Sequence, residues 1–277
     1  MENRKIALFI STLLRTRYKV EIKGEELLHC DQSSLYLPNH QAEVDPMILL
    51  AEIAKIDDVV PMISDAYYNL PLVHKFMKKV GAVPVADFDK GHRDPNVLDK
   101  MRQGMINALH NGKSIVLYPS GQLCNQGYEK VGNKQSAYRL IQELGDQVRI
   151  VGVRQHGLWG SIWSRAWWGR SPDFFKVLLR SLFYVLANFI FFVPKRSVHI
   201  EFVDLTAEIK QKARELERRE FNKYLEDFYN IHGEEYARFM KHFFYAPKLK
   251  KKFPKRIKGK INPGSELKFG PLPEENN

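Results

Sequence analysis

A chain of 277 residues with 44% hydrophobic and 12% aromatic residues buries a sizeable core, which excludes disorder throughout and sets the scale at one domain with appendages or two small domains. Its net charge of +11 and pI near 9.5 favour an anionic partner, whether nucleic acid, anionic lipid head groups or an acidic carrier protein. Two cysteines, Cys30 and Cys124, with no CxxC and no histidine cluster at metal spacing, argue against a disulfide framework or metal site and fit a reducing cytosol.

The N-terminal apolar run, Ile6 to Leu14, is too short to span a bilayer and lacks a small-residue cleavage site. It reads as an interfacial helix or as a short helix closing the core. Strand and helix patterns then alternate. YKVEIKG and SSLYLPN read as strands, DPMILLAEIAK as a helix, DVVPMIS as a strand and LVHKFMKKV as a helix. GAVPVAD is a strand, PNVLDKMRQGMINALHN a helix, SIVLYPSG a strand, KQSAYRLIQELG a helix and VRIVGVRQHG a strand. Continuous apolar strands such as SIVLY and IVGV, spaced by helices, predict an α/β fold with a mainly parallel twisted sheet flanked by helices. Ligands of such sheets collect beyond the carboxyl ends of the strands, where His40 and the Pro119-Ser120-Gly121 turn fall.

After Gly157 the texture changes. Trp159, Trp163, Trp167 and Trp168 precede an apolar stretch over residues 174–193 that has the length of a membrane span. Lys176, Arg180 and Asn188 would make a full crossing costly, so segment 159–193 is expected to dip into one leaflet, with aromatic rings near Arg165 and Arg170 in the head-group layer; a buried helix is the alternative. From Thr206 the chain is charged and helical, with Leu216, Phe221, Leu225 and Phe228 as its packed face. Lys248, Lys250, Lys251, Lys252, Lys255, Arg256, Lys258 and Lys260 form a basic tail that either contacts an anionic membrane or stays solvated, and the Pro/Gly-rich end reads as loose.

Asn39, His40 and Asp45 present two readings. Asp45 before Pro46 suits a helix N-cap and first helical residue, and Asn39 suits the preceding turn. Capping does not account for His40, and a carboxylate at a helix start is well placed to hold an imidazole in one tautomer. Ser120 does not make a hydrolase elbow, because the turn reads Tyr118-Pro119-Ser120-Gly121-Gln122 instead of Gly-x-Ser-x-Gly. His74, His92, His110 and His156 have no partner pattern.

The N-H-x4-D pattern resembles the first motif of the glycerolipid acyltransferases, the lysophospholipid and 1-acylglycerol-3-phosphate acyltransferases. Gly81 to Asp87, Leu117 to Gly121 and Ile150 to Val153 are similar to the second, third and fourth blocks, so the resemblance covers roughly residues 20–155. It implies a glycerol-3-phosphate acyltransferase-like fold over residues 1–205, followed by a helical, basic extension over 206–277. It also implies O-acyl transfer from acyl-CoA or acyl-carrier protein to a lysophospholipid-like acceptor, with His40 as general base and Asp45 orienting it. Asn39, Gly81, Tyr118, Pro119, Ser120, Gly121, Gln122 and Arg154 are the expected substrate contacts, with backbone N–H groups of the Ser120-Gly121 turn as candidate oxyanion donors. No metal or resident cofactor is expected, since the thioester carries the energy. The expected partners are the membrane surface, the acceptor lipid and the acyl donor, with no nucleic acid, at the cytoplasmic face as a peripheral or monotopic protein. Two departures stand out: Asp87 where the family usually has arginine, and Ser120 where it has glutamate. They argue for an acceptor other than glycerol 3-phosphate, with Lys90, Arg93, Lys113 or Arg154 as candidate replacement charge. A non-catalytic lipid-binding relative is the alternative function.

Overall fold

Strands β1 (Tyr18–Lys23), β2 (Ser34–Pro38), β3 (Val59–Val60), β4 (Met62–Ser64), β5 (Val83–Val85), β6 (Ser114–Val116), β7 (Arg149–His156), β8 (Arg196–Asp204), β9 (Glu234–Glu235) and β10 (Phe269–Gly270) are connected largely through helices. The helices are α1 (Glu2–Arg15), α2 (Asp45–Ile53), α3 (Pro95–His110), α4 (Ser136–Glu143), α5 (Arg165–Trp168), α6 (Phe174–Asn188), α7 (Thr206–Glu215) and α8 (Arg218–Tyr229). This computed structural model describes residues 2–29, 31–60, 62–64, 83–85, 95–245, 249 and 251–272. The expected helix LVHKFMKKV lies outside them.

Among the described residues the main sheet has six strands in the order β1-β8-β7-β2-β6-β3. The strand with the most continuous apolar pattern, β2, is buried at every position and sits between parallel β7 and β6. Both of its faces are covered, which is why it shows no polar alternation. Tyr36 points into a core with Ile48, Leu49 and Ile53 of α2, whereas Leu35 and Leu37 point into a second core with Leu109 of α3, Leu140 of α4, Ile209 of α7 and Phe221 of α8. The helices after Thr206 therefore share one core with β2, and no break in packing falls at 205/206.

The sheet departs from uniform parallel pairing at β8, a strand absent from the sequence reading. It runs antiparallel to β7 and parallel to β1, with alternating burial along Arg196–Asp204. Its start therefore lies beside the end of β7, on the same side as the carboxyl end of β2. Gly157 makes the turn that follows β7; its φ of +101° and close approach to the Ser197 carbonyl leave no room for a side chain.

The segment from Leu158 to Trp168 corrects the expectation of a tryptophan-rich membrane contact. Trp159, Trp163 and Trp167 are buried, and only Trp168 is exposed. Trp159 and Trp167 form a third core with Ala237, Phe239 and Ile257 from the C-terminal segment, and Trp163 joins the α2 core. Burial in these cores removes their rings from the surface a head-group layer would contact. The final segment, expected to be loose, pairs Phe269–Gly270 with Glu234–Glu235. After Tyr229 the extension gives way to turns and short pairings, down to those of β9 and β10.

Helix α6 is shorter than a membrane span, and among the described residues no helix is long and apolar enough to cross a bilayer. Its packed stripe is Val177, Ser181, Tyr184 and Asn188 at helical spacing, while Leu178, Leu179, Leu182, Phe183 and Leu186 face outward. Asn188 fixes the end, donating to the His242 carbonyl at 3.0 Å and accepting from Phe244 N–H at 2.9 Å. Phe189, with φ of +52°, then turns the chain into a short 3₁₀ segment on which Phe191 is 90% exposed. Helix α1 likewise packs Ala7 and Ser11 inward and leaves Leu8, Phe9 and Leu13 exposed.

Candidate active site

Pro38 ends β2 because it has no N–H to continue the ladder. The Asn39 amide takes over that pairing: it donates to the Gln155 carbonyl at 2.9 Å and accepts from Gln155 N–H at 2.7 Å, while the Gln155 side chain donates to the Asn39 carbonyl at 3.1 Å. Asn39 thus locks the start of the loop to the end of β7, a structural task in place of the expected substrate contact. The next residue, His40, leaves the sheet with its N–H on Glu129 Oε2 at 2.8 Å and its carbonyl accepting from Cys124 N–H at 2.8 Å.

Asp45 is wholly buried at the start of α2. Its Oδ2 accepts from Gln41 N–H at 2.5 Å and Ala42 N–H at 3.0 Å and lies 3.3 Å from His40 Nδ1. These are donors of the preceding loop. The helix N-cap is Val44, so Asp45 folds the loop back onto itself instead of capping its own helix. Burial pushes the Asp45 carboxyl above its ordinary range, against the pull of the His40 bond and the two backbone donors. The Nδ1 contact leaves His40 Nε2 as the nitrogen available to a ligand, on a side chain 14% exposed. The Tyr118 ring packs on the imidazole with centroids 4.4 Å apart.

Tyr118, Ser120 and Gly121 arrive through the turn after β6, the parallel neighbour of β2. Gly121, at φ +59°, gives its N–H to the Tyr118 carbonyl at 3.0 Å, so that N–H is spent inside the turn and is not a free oxyanion donor. The buried Ser120 hydroxyl donates to the Gln122 carbonyl at 3.0 Å, Pro119 is buried, and the Gln122 side chain is exposed.

Residues 19–154, which include the His40–Asp45 loop, the turn after β6 and most of β7, match the family described as Acyltransferase. Over those residues, 136 of 277, the chain belongs to the acyltransferase family. No curated protein matches it. Among solved structures it is similar to the 1-acyl-sn-glycerophosphate (LPA) acyltransferase PlsC from Thermotoga maritima, at 18% identity and a TM-score of 0.49, over 80% of this chain and 78% of that one.

Several expected contacts of this acyltransferase lie elsewhere. Arg154 bonds Glu201 at 2.8 Å and stacks 4.6 Å over the Phe228 ring, away from the His40 loop. Lys113 stands at the amino end of β6, paired with Asp58 at 2.6 Å. Gly81, Lys90, Arg93, Asp87, His74 and His92 lie outside the described residues. Among the described residues no group of three or more His, Cys, Asp or Glu side chains could hold a metal ion.

The acyltransferase site also has members that no spacing rule singled out. Gln41 donates to Glu235 Oε2 at 2.7 Å and accepts from Leu158 N–H at 3.0 Å, and the same Glu235 oxygen lies 3.2 Å from His156 Nδ1. His156 therefore has a partner, supplied from β9. Glu129, 4% exposed, is the second. Asn230 clamps its backbone through two bonds of 2.8 Å, one in each direction. Burial pushes its carboxyl up to about 7, with the Ser120 hydroxyl and the His40 N–H pulling the other way. Because this value lies above the ordinary 4.5, the folded chain holds a proton that the unfolded chain has lost between those values, and stability falls as pH rises from 4.5 to about 7. Thermal melts across that range should show the decline in the wild type and a flatter profile in Glu129→Gln.

Proposed function

We propose that the protein is a membrane-surface O-acyltransferase that moves a fatty acyl group from the thioester of acyl-CoA or acyl-carrier protein to a hydroxyl of a lysophospholipid-like acceptor. One observation carries the reading: in a family of acyltransferases, a histidine at the carboxyl end of the central strand has Nδ1 against a buried carboxylate and its other nitrogen left for a ligand. In the proposed reaction Asp45 holds the imidazole with Nδ1 protonated, and Nε2 takes the proton of the acceptor hydroxyl as its oxygen attacks the thioester carbonyl. The C–S bond breaks, the thiolate leaves and recovers a proton, and an ester remains. The energy comes from the thioester, so the reading requires no resident cofactor. General-base help of this kind contributes about 10² to 10⁴ in rate, and positioning supplies more.

The membrane part of the proposal is supported by the outward leucines and phenylalanines of α6 and the turn after it. An apolar face of this kind on a folded body marks a contact surface. Arg180 on the same helix stacks 5.3 Å from the Trp168 ring, and Lys176 and Lys241 flank the apolar residues, which matches an anionic head-group layer.

The test is transfer of radiolabelled acyl groups from acyl-CoA to a panel of lysophospholipids, 1-monoacylglycerol and glycerol 3-phosphate. Labelled ester is expected on a lipid acceptor. A clear preference for glycerol 3-phosphate would defeat the acceptor assignment.

A further inference from the structure

The residue that follows the base is held from far along the chain. Gln41 gives its N–H to Asp45 Oδ2 at 2.5 Å and its Nε2–H to Glu235 Oε2 at 2.7 Å, while its Oε1 accepts the Leu158 N–H at 3.0 Å. The Leu158 bond orients the amide, with its oxygen toward Leu158 and its NH2 toward Glu235. Gln41 is 4% and Glu235 1% exposed, so a bond broken between them has little water to replace it.

The Glu235 side chain is not needed to hold its own strand. Main-chain bonds place β9: Glu235 N–H donates to the Gly127 carbonyl at 2.7 Å, and Glu234–Glu235 pair with Phe269–Gly270. The carboxylate is left to accept from Gly157 N–H on Oε1 at 3.0 Å and from Gln41 on Oε2, with His156 Nδ1 3.2 Å from the same oxygen. Only a side chain with an acceptor at both ends serves Gly157 and Gln41 together. The Gly127 bond lies two residues from Glu129, which holds the His40 N–H, so Glu235 braces the loop from both flanks.

Resting on the acyltransferase reading, we propose that Glu235 is a positioning residue for the reaction: it acts through Gln41 to fix the main chain that brings His40 and Asp45 together. Glu235 lies beyond residues 19–154, so the segment that carries the family pattern does not contain it, and the C-terminal segment completes the site. In this role it touches no reacting atom. Its loss therefore lowers kcat and leaves KM unchanged, and misplacing the base by about 1 Å is enough for about a hundredfold.

The experiment measures kcat and KM with radiolabelled palmitoyl-CoA and three acceptors, lysophosphatidylcholine, lysophosphatidic acid and 1-monoacylglycerol. It compares wild type, Glu235→Gln, Gln41→Glu and the exchanged pair Gln41→Glu/Glu235→Gln, with circular dichroism confirming the fold of each. Glu235→Gln keeps an oxygen for Gly157 but sets its NH2 against that of Gln41, and Gln41→Glu sets two carboxylates together. Each single change is expected to lower kcat about ten- to hundredfold with KM within about twofold of wild type. The exchanged pair again matches one amide with one carboxylate, and kcat returns to within about threefold of wild type. A role confined to the Gly157 turn or to β9 is not repaired by a change at residue 41. Should one single variant fail to fold, the other carries the same mismatch and the exchange is judged against it; failure of both assigns the pair to stability alone and overturns the proposal. Undiminished kcat in folded Glu235→Gln, or an exchanged pair no faster than the faster single variant, overturns the role of Glu235 and leaves the acyltransferase reading standing. Absence of transfer from wild type to all three lipids overturns both.

Discussion

His40→Ala is expected to lower acyl transfer by about 10²- to 10⁴-fold while the protein stays folded. The magnitude follows from removing the only group in the proposed reaction that takes the acceptor proton. The fold should survive because the loop is held by main-chain bonds that alanine retains: the N–H at residue 40 still reaches Glu129, and the carbonyl still accepts from Cys124. Asp45 keeps its two backbone donors from Gln41 and Ala42. The side chain itself contributes a 3.3 Å contact to Asp45 and a ring contact to Tyr118, on a group that is already partly exposed. Residual transfer would come from positioning of donor and acceptor. The measurement is labelled ester formed per unit time, with circular dichroism confirming equal secondary structure. Undiminished turnover in a folded variant would remove His40 as the base.

The second large effect is on membrane binding. Leu179, Phe183 and Phe191 are 68, 58 and 90% exposed on α6 and the turn that follows, so none contributes to the core. Replacing all three with glutamate should leave thermal stability nearly unchanged and abolish flotation with vesicles containing anionic lipid. Moving a leucine or phenylalanine from water into the acyl boundary is worth about 2 kcal/mol, so three full insertions amount to about 6 kcal/mol, or roughly 10⁴ in partitioning. Half-depth insertion still leaves about a hundredfold. The added negative charges weaken attraction to anionic lipid further. Wild type that fails to float with such vesicles, or a triple variant that floats equally well, would show that this face meets something other than a bilayer.

The comparison of Trp159 with Leu179 shows where sequence reading stops. Both lie in the aromatic and apolar stretch expected to meet the membrane, yet Trp159 is completely buried and Leu179 is largely exposed. Hydrophobicity states that a side chain avoids water without saying whether protein or lipid will cover it. Trp159 and Trp167 are covered by Ala237, Phe239 and Ile257, residues far along the chain, and nothing in their own neighbourhood announces that segment. Strand β8 has no place in the sequence reading for a different reason: its short alternation over Arg196–Asp204 falls between the apolar run ending at 193 and the charged segment from Thr206.

By itself the sequence determined the alternation of helices with apolar strands, the covered central strand and the nearness of His40 to Asp45. Each is a short-range property. Periodicity over one element reports which sides are covered, and a stretch of seven residues between Pro38 and Pro46 keeps His40 and Asp45 near each other along the chain. Tertiary structure alone decided the surroundings of that pair. Glu129 is 89 residues from His40, Gln155 is 116 from Asn39, and Glu235 is 194 from Gln41. Those meetings depend on strand order and on the C-terminal helices packing into the same core. That order comes from the summed burial of many side chains, and no local pattern around Glu129 or Glu235 records which distant partner it will meet.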